Sequence, residues 1–136
     1  MTIREASIAD YKEMCALWEA SPGVRQTAVD SQGSIAAFLR RNPGLSFVAA
    51  EGGALIGTCM CGQDGRRGYI YHVAVKLEYR GKHVGTRLVE ASLAALRSAG
   101  IDKCHVFVLA DNPLGNSFWS SFWKKREDIQ LYSKDI

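Results

Sequence analysis

The chain has 136 residues, 47% hydrophobic and 23% charged, with a net charge of +3. That is length for one domain, 1–136, with a real core and too little for two. The charge excess is too small to argue for nucleic acid or a membrane surface as partner. No run approaches the roughly 18 apolar residues of a bilayer span. The first fifteen residues carry Glu5, Asp10 and Glu13 and no apolar stretch of signal-peptide length, so a cytoplasmic protein is expected. Cys15, Cys59, Cys61 and Cys104 lack the spacing of a zinc site or a disulfide framework, so free buried thiols and no metal are expected.

Residues 2–6 read as a short strand. Ser7 reads as an N-cap, with Asp10 three residues on and Ile8, Tyr11, Met14, Cys15 and Trp18 at helical spacing up to Ser21-Pro22-Gly23. Residues 24–33 are polar and without period, a loop. A second short helix is expected from Ile35 to Arg40, stopped by Asn42-Pro43-Gly44. Leu45 to Glu51 and Ala54 to Cys61 are strand-like runs joined by Gly52-Gly53, and a third strand, Tyr69 to Val75, follows the turn Asp64-Gly65-Arg66-Arg67-Gly68. From Val84 to Ala99, Val84, Leu88, Val89, Ala91, Leu93, Ala95 and Leu96 fall on one half of a helix, with Gly100 as its cap. A strand from Cys104 to Leu109, a helix opened by Asp111-Asn112-Pro113, and a closing strand from Ile129 to Lys134 complete the reading. An exposed closing strand could pair with a second copy, giving a homodimer. Strand, turn, helix and strand between 69 and 109 form a βαβ unit with parallel flanking strands. Antiparallel strands precede it. The class is α+β, a three-layer α/β/α arrangement on a mixed, mostly antiparallel sheet.

Between the third strand and its helix lies Val75-Lys76-Leu77-Glu78-Tyr79-Arg80-Gly81-Lys82-His83-Val84-Gly85-Thr86. Lys76, Arg80, Lys82 and Arg87 face only Glu78 in charge. N–H groups from Gly81 to Thr86 can converge on one point, backed by the positive end of a helix dipole, which is a cradle for a phosphate-bearing ligand. Gly81 and Gly85 allow close approach because they lack Cβ. Neither a Walker phosphate loop nor a dinucleotide fingerprint is present.

The order of elements and Arg80-Gly81-Lys82-His83-Val84-Gly85 resemble the GCN5-related N-acetyltransferases, whose signature is Arg/Gln-x-x-Gly-x-Gly/Ala. Arg80 and Gly85 match its ends, and His83 replaces the middle glycine. Val73-Ala74-Val75 resembles the strand whose backbone pairs with the pantetheine arm. Asn112, Gly115 and Phe118-Trp119 resemble a later Asn-x-x-Ala-x-x-Phe-Tyr segment. The resemblance covers nearly the whole chain. It implies the family fold, with a splayed parallel strand pair at the site, and acetyl-coenzyme A as co-substrate. It further implies cofactor contacts from Val73, Ala74, Val75, Arg80, Gly81, Lys82, His83, Val84, Gly85, Thr86, Asn112, Phe118 and Trp119. The expected reaction is direct acetyl transfer to a primary amine of a small molecule or protein. A non-catalytic acetyl-CoA-binding sensor is the alternative.

Such a transfer needs a neutral amine, a polarised carbonyl and a proton for the departing thiolate. The resemblance gives the carbonyl to the backbone N–H of Val75. The family's acid tyrosine falls on Trp119, and an indole N–H is a donor but no usable acid. Tyr71 is expected as an acid or water anchor, sharing a face with Val73 and Val75, while His72 points the other way as a structural residue. His83, with a helical φ, is expected either to touch phosphate or ribose or to face solvent. Cys59 and Cys61 have no adjacent histidine to make a nucleophile. The acceptor should meet the loop at 21–33, with Arg25 and Asp30, and the turn at 62–68, with Asp64.

Overall fold

The computed structural model describes residues 1–136 and gathers five strands into one sheet. In spatial and chain order these are β1 (Thr2–Glu5), β2 (Phe47–Glu51), β3 (Ala54–Gln63), β4 (Gly68–Val75) and β5 (Cys104–Val106). The first three pairings are antiparallel and β4–β5 is parallel. Four helices flank the sheet: α1 (Tyr11–Glu19), α2 (Gln32–Arg41), α3 (Val84–Ser98) and α4 (Pro113–Ser120). The α+β class and the mixed sheet match the expectation from sequence.

β3 is the central strand and is buried from Leu55 to Gly62, because helices cover both faces. On one face Ile56, Cys59, Cys61 and Ile70 pack under Leu88, Val89 and Leu96 of α3 and Trp119 of α4. On the other, Val48, Met60 and Ala74 meet Met14, Leu17 and Trp18 of α1 and Ile35 of α2. The Ser92 hydroxyl, fully buried in α3, donates to the Leu45 carbonyl at 2.8 Å and locks that helix to the approach of β2. At the other end of the sheet, Asp10 fixes the entry to α1. Its carboxylate accepts N–H groups from the two terminal guanidinium nitrogens of Arg4, at 2.8 and 2.9 Å, and the Ser7 N–H at 2.9 Å.

Three expectations need correction. The second helix begins at Gln32, three residues before the reading from Ile35. The Ser31 hydroxyl caps it by accepting the Ser34 N–H, a local bond that apolar spacing does not reveal. β5 ends at Val106 rather than Leu109, so its pairing with β4 stops at Ile70. The closing strand from Ile129 to Lys134 does not form, and residues 124–136 are exposed with no regular structure. Both sheet faces are already covered and β5 offers an edge of only three residues, so a strand there would gain little ladder and almost no burial.

Candidate active site

β4 and β5 part company after Ile70 and Val106, and the chain fills the wedge with a cleft of about 580 Å³. Its walls come from β4, the α3 N-terminus, α4, the run after β5 and the loop after α1.

The first wall is the free edge of β4. Lys76 donates its N–H to the Ile56 carbonyl at 2.8 Å, so the neighbouring pair Val75–Gly57 is the non-hydrogen-bonded kind in the antiparallel ladder. The Val75 N–H and carbonyl therefore point away from β3, toward the splay. The carbonyl is taken by the Nε of Arg80 at 3.0 Å. The N–H is left facing the wedge.

The second wall is the turn into α3. From Gly81 to Thr86 no backbone N–H finds an acceptor inside the protein. The first intrahelical bond is Arg87 N–H to His83 O, at 3.0 Å. Gly81 has φ 74° and His83 has φ 63°, both left-handed. His83 thus differs from the helical φ expected for it: it adopts the conformation that a glycine would supply, at a cost of about 1 kcal/mol for a residue with Cβ. Gly85 lies under the aromatic ring of Phe118, and a β-carbon there would stand 3.2 Å from Cε1. Of the turn's cations, Arg80 and His83 line the cleft and Lys82 does not. The Lys82 ammonium sits 5.7 Å over the Tyr79 ring instead.

Asn112 caps α4 by accepting the Gly115 N–H at 3.0 Å. The same side chain fills the space that β-carbons at Gly23 and Gly115 would occupy, so it ties the loop after α1 to α4 across the cleft. Beyond it Phe118 lines the cavity, and Trp119 is 9% exposed between Phe122, stacked at 5.6 Å, and Trp123 at 4.7 Å.

A bulge decides the remaining side chains of β4. The register steps from Thr58 opposite Ala74 to Met60 opposite Tyr71, so His72 and Val73 share one partner position, and His72 takes φ 49°. The step reverses the alternation of the strand. Tyr71 therefore does not share a face with Val73 and Val75. Those two pack on the α3 side, and Tyr71 lies edge-on to Phe38 of α2 at 6.1 Å. His72 stands on that same side, its ring 4.7 Å from Trp18 and its Nε2 2.8 Å from the Asp30 carboxylate.

A family model for the acetyltransferase (GNAT) family matches residues 11–122. An acetyltransferase of Yersinia enterocolitica is 32% identical over 136 residues, covering the whole chain and 96% of the relative. One of Sodalis glossinidius is 30% identical over 131 residues, 96% of this chain and 92% of the relative. The chain belongs to the GNAT acetyltransferase family. It is an N-acetyltransferase. Solved folds agree: the PaiA N-acetyltransferase of Thermoplasma acidophilum, in complex with coenzyme A, has a TM-score of 0.79 at 21% identity, covering 95% of this chain and 92% of that one. The aminoglycoside acetyltransferase AAC(6')-Iy, in complex with a bisubstrate analogue, has a TM-score of 0.77 at 16% identity, covering 99% and 98%. At these identities the likeness is one of fold.

In this GNAT chain every residue expected to bind the cofactor or act on it, except Lys82, lines this cleft. On the acceptor side Ser21–Arg25 line it, but Asp30 and the turn at 62–68 with Asp64, also expected there, do not. Burial pushes the Tyr71 phenol above its ordinary range, which keeps it protonated as a hydrogen-bond donor and weakens it as an acid. Cys59 is pushed up to about 12, by burial above all. Neither Cys59 nor Cys61 reaches the cleft, so no thiolate is on hand as a nucleophile. Sequence reasoning missed Tyr79, the Val106–Leu109 wall and Leu114, which line the cleft but carry no chemical signature. It also kept His72 and Asp30 apart. A signal for their meeting existed in Thr27 and Asp30, spaced as a capping box, which fixes the carboxylate in place.

Proposed function

We propose that the whole chain, 1–136, is one acetyl-CoA-binding domain that moves the acetyl group directly to a primary amine of a small molecule or protein. The observation that carries this reading is the run of unpartnered N–H groups from Gly81 to Thr86 beside the open edge of β4. A pyrophosphate needs several convergent donors, and the first turn of a 15-residue helix adds its dipole. Arg80 supplies a guanidinium whose two terminal nitrogens have no protein partner, and His83 stands at the same rim. Val73, Ala74 and Val75 offer backbone groups to an amide-bearing arm laid along the wedge, as a further strand would be, with Phe118 and Trp119 as the apolar side. Acetyl-CoA supplies an activated thioester. The Val75 N–H is placed to donate to a carbonyl oxygen as negative charge builds on it.

The acceptor end favours a lightly charged amine. None of the 28 residues lining the cleft is Asp or Glu, while Arg25, Arg80 and His83 are among them. A polycation such as an aminoglycoside would meet cations without carboxylates, so an amine with a single charge and an apolar body suits Val24, Tyr71, Phe107 and Leu114 better. Calorimetry with coenzyme A, followed by thiol release across monoamines, peptide N-termini and aminoglycosides, tests the reading. Micromolar binding with turnover on monoamines or peptides is expected. No binding of coenzyme A, or turnover confined to aminoglycosides, would refute it.

A further inference from the structure

We infer that His72 and Asp30 form the proton-accepting pair for the acceptor amine, His72 as the catalytic residue and Asp30 as the residue that positions it. The inference rests on the acetyl-transfer reading above. His72 is one of only two non-glycine residues with positive φ, the other being His83. A side chain held in that region costs about 1 kcal/mol or more, and the surroundings hold it firmly. Thr58 donates its hydroxyl to the His72 carbonyl at 2.8 Å, and the buried Trp18 donates its indole N–H to the same hydroxyl oxygen at 3.0 Å.

The carboxylate is equally fixed. Asp30 is 8% exposed. Its Oδ2 accepts the Thr27 N–H at 3.0 Å, its carbonyl accepts the Tyr11 hydroxyl at 2.6 Å, and its Oδ1 faces His72 Nε2 at 2.8 Å. A carboxylate at Nε2 puts the ring proton there and leaves Nδ1 as an acceptor. Nδ1 has no protein partner, yet no buried side-chain nitrogen or oxygen in the molecule is unpaired. Nδ1 is therefore open, and His72 lines the cleft. Only Val73 and Ala74 lie between it and Val75, and the bulge keeps the separation under the roughly 10 Å that three steps of regular strand would span at about 3.3 Å per residue, room for an amine and one bridging water.

The protonated amine sheds two protons in the reaction. The first passes to Nδ1, directly or through the water, and the imidazolium so formed is stabilised by Asp30 before releasing it to solvent. The freed nitrogen pair forms the C–N bond as the C–S bond breaks with its electrons on sulfur, and the second proton ends on that sulfur. The groups around the ring are few. The loop after α1 offers Asp30 and, at the cleft wall, Arg25; α1 offers Trp18 and, through Asp30, Tyr11; β4 itself offers Tyr71. On this face β3 presents Thr58 and Met60, neither of which titrates.

The test pairs His72→Asn, which tolerates the left-handed backbone, with Asp30→Asn and ring nitrogen NMR of the wild type. Expected for His72→Asn is a kcat loss of about 10²-fold or more at neutral pH, with coenzyme A affinity within about 2-fold of wild type. Its rate should keep climbing with pH toward the amine's own ionisation, where the wild type has levelled off. Asp30→Asn should give a smaller loss with the same change of pH profile. The wild-type ring should carry its proton on Nε2 at high pH, and Asp30→Asn should weaken that preference. Turnover of His72→Asn within about 3-fold of wild type, or a wild-type ring protonated on Nδ1, overturns the pair while leaving acetyl transfer standing. Wild-type protein that neither binds coenzyme A nor releases thiol overturns both.

Discussion

Gly85 is the point where the cradle and the aromatic wall press on each other, so graded substitution there reads the packing directly. A β-carbon added at Gly85 would lie 3.2 and 3.3 Å from Cε1 and Cζ of Phe118 and 3.7 Å from Cγ2 of Val75. Ordinary carbon contacts optimise at about 3.5–4.0 Å, so Gly85→Ala asks the ring to yield a few tenths of an ångström. It also removes a helical glycine, a gain of up to about 1 kcal/mol. The two effects nearly cancel, and stability should stay within about 1 kcal/mol of wild type. Gly85→Val places two further carbons about 1.5 Å beyond that β-carbon, into the ring itself. Overpacking of this kind costs about 1–3 kcal/mol. Urea unfolding at constant m-value measures the difference, and calorimetry should show coenzyme A affinity falling with Val far more than with Ala. Adding Phe118→Ala removes the obstacle, so the valine cost should shrink by about 1 kcal/mol or more in the double variant. Equal stability for Ala and Val, or a valine cost unchanged by Phe118→Ala, would refute the reasoning.

Acid sensitivity should trace to Asp10. The Arg4 guanidinium, by hydrogen bond and charge, and the Ser7 N–H hold its carboxyl below the usual carboxylate range. A folded value below the unfolded ~3.9 gives stability that is complete above that pH and lost as pH falls through the folded value. Asp10→Asn should therefore flatten the fall in urea midpoint below about pH 4 and cost about 1–2 kcal/mol at pH 7, the low end because Arg4 is 46% exposed. At the other end of the chain, residues 124–136 are exposed and their hydrogen bonds and ion pairs, such as Arg126–Asp128, are all local. Deleting 125–136 should shift the urea midpoint by the equivalent of less than about 1 kcal/mol, since nothing buried is removed. A larger loss would mean the tail packs somewhere.

The elements that could be read from the sequence are those whose signal is local and repeated. α3 follows its apolar half-face to within a residue of the expected end, and the paired glycines at 52–53 do join β2 to β3. The cradle could be read because its chemistry is backbone chemistry, announced by glycines and cations in one short run. Features that depend on neighbours could not. β5 is short because β4 turns away from it, and Ile129–Lys134 stays out of the sheet because nothing remains to bury it, although the run itself is as strand-like as others that do pair. The bulge at His72 belongs to this second kind. It reverses which residues of β4 face α3, so alternation counted along the sequence put Tyr71 on the wrong side.

That bulge also explains why the β4 side of the cleft is harder to read than the turn into α3. Both non-glycine residues with left-handed φ, His72 and His83, are histidines, and both line this one cavity. Each breaks a local rule, since neither has the side chain that its backbone conformation prefers. At 83 the rule is broken inside a motif, and the unpartnered N–H groups around it survive the substitution because they belong to the backbone. At 72 no motif surrounds the residue, and the compensation comes from Trp18, Thr58 and Asp30, which lie 54, 14 and 42 positions away. A strained residue supported by three distant elements, in the wall of a cleft, is more economically explained by a demand on where its ring must stand than by packing alone. An apolar side chain on an unbulged strand would fill the same space against Trp18 without strain, and would leave Asp30 with nothing to orient.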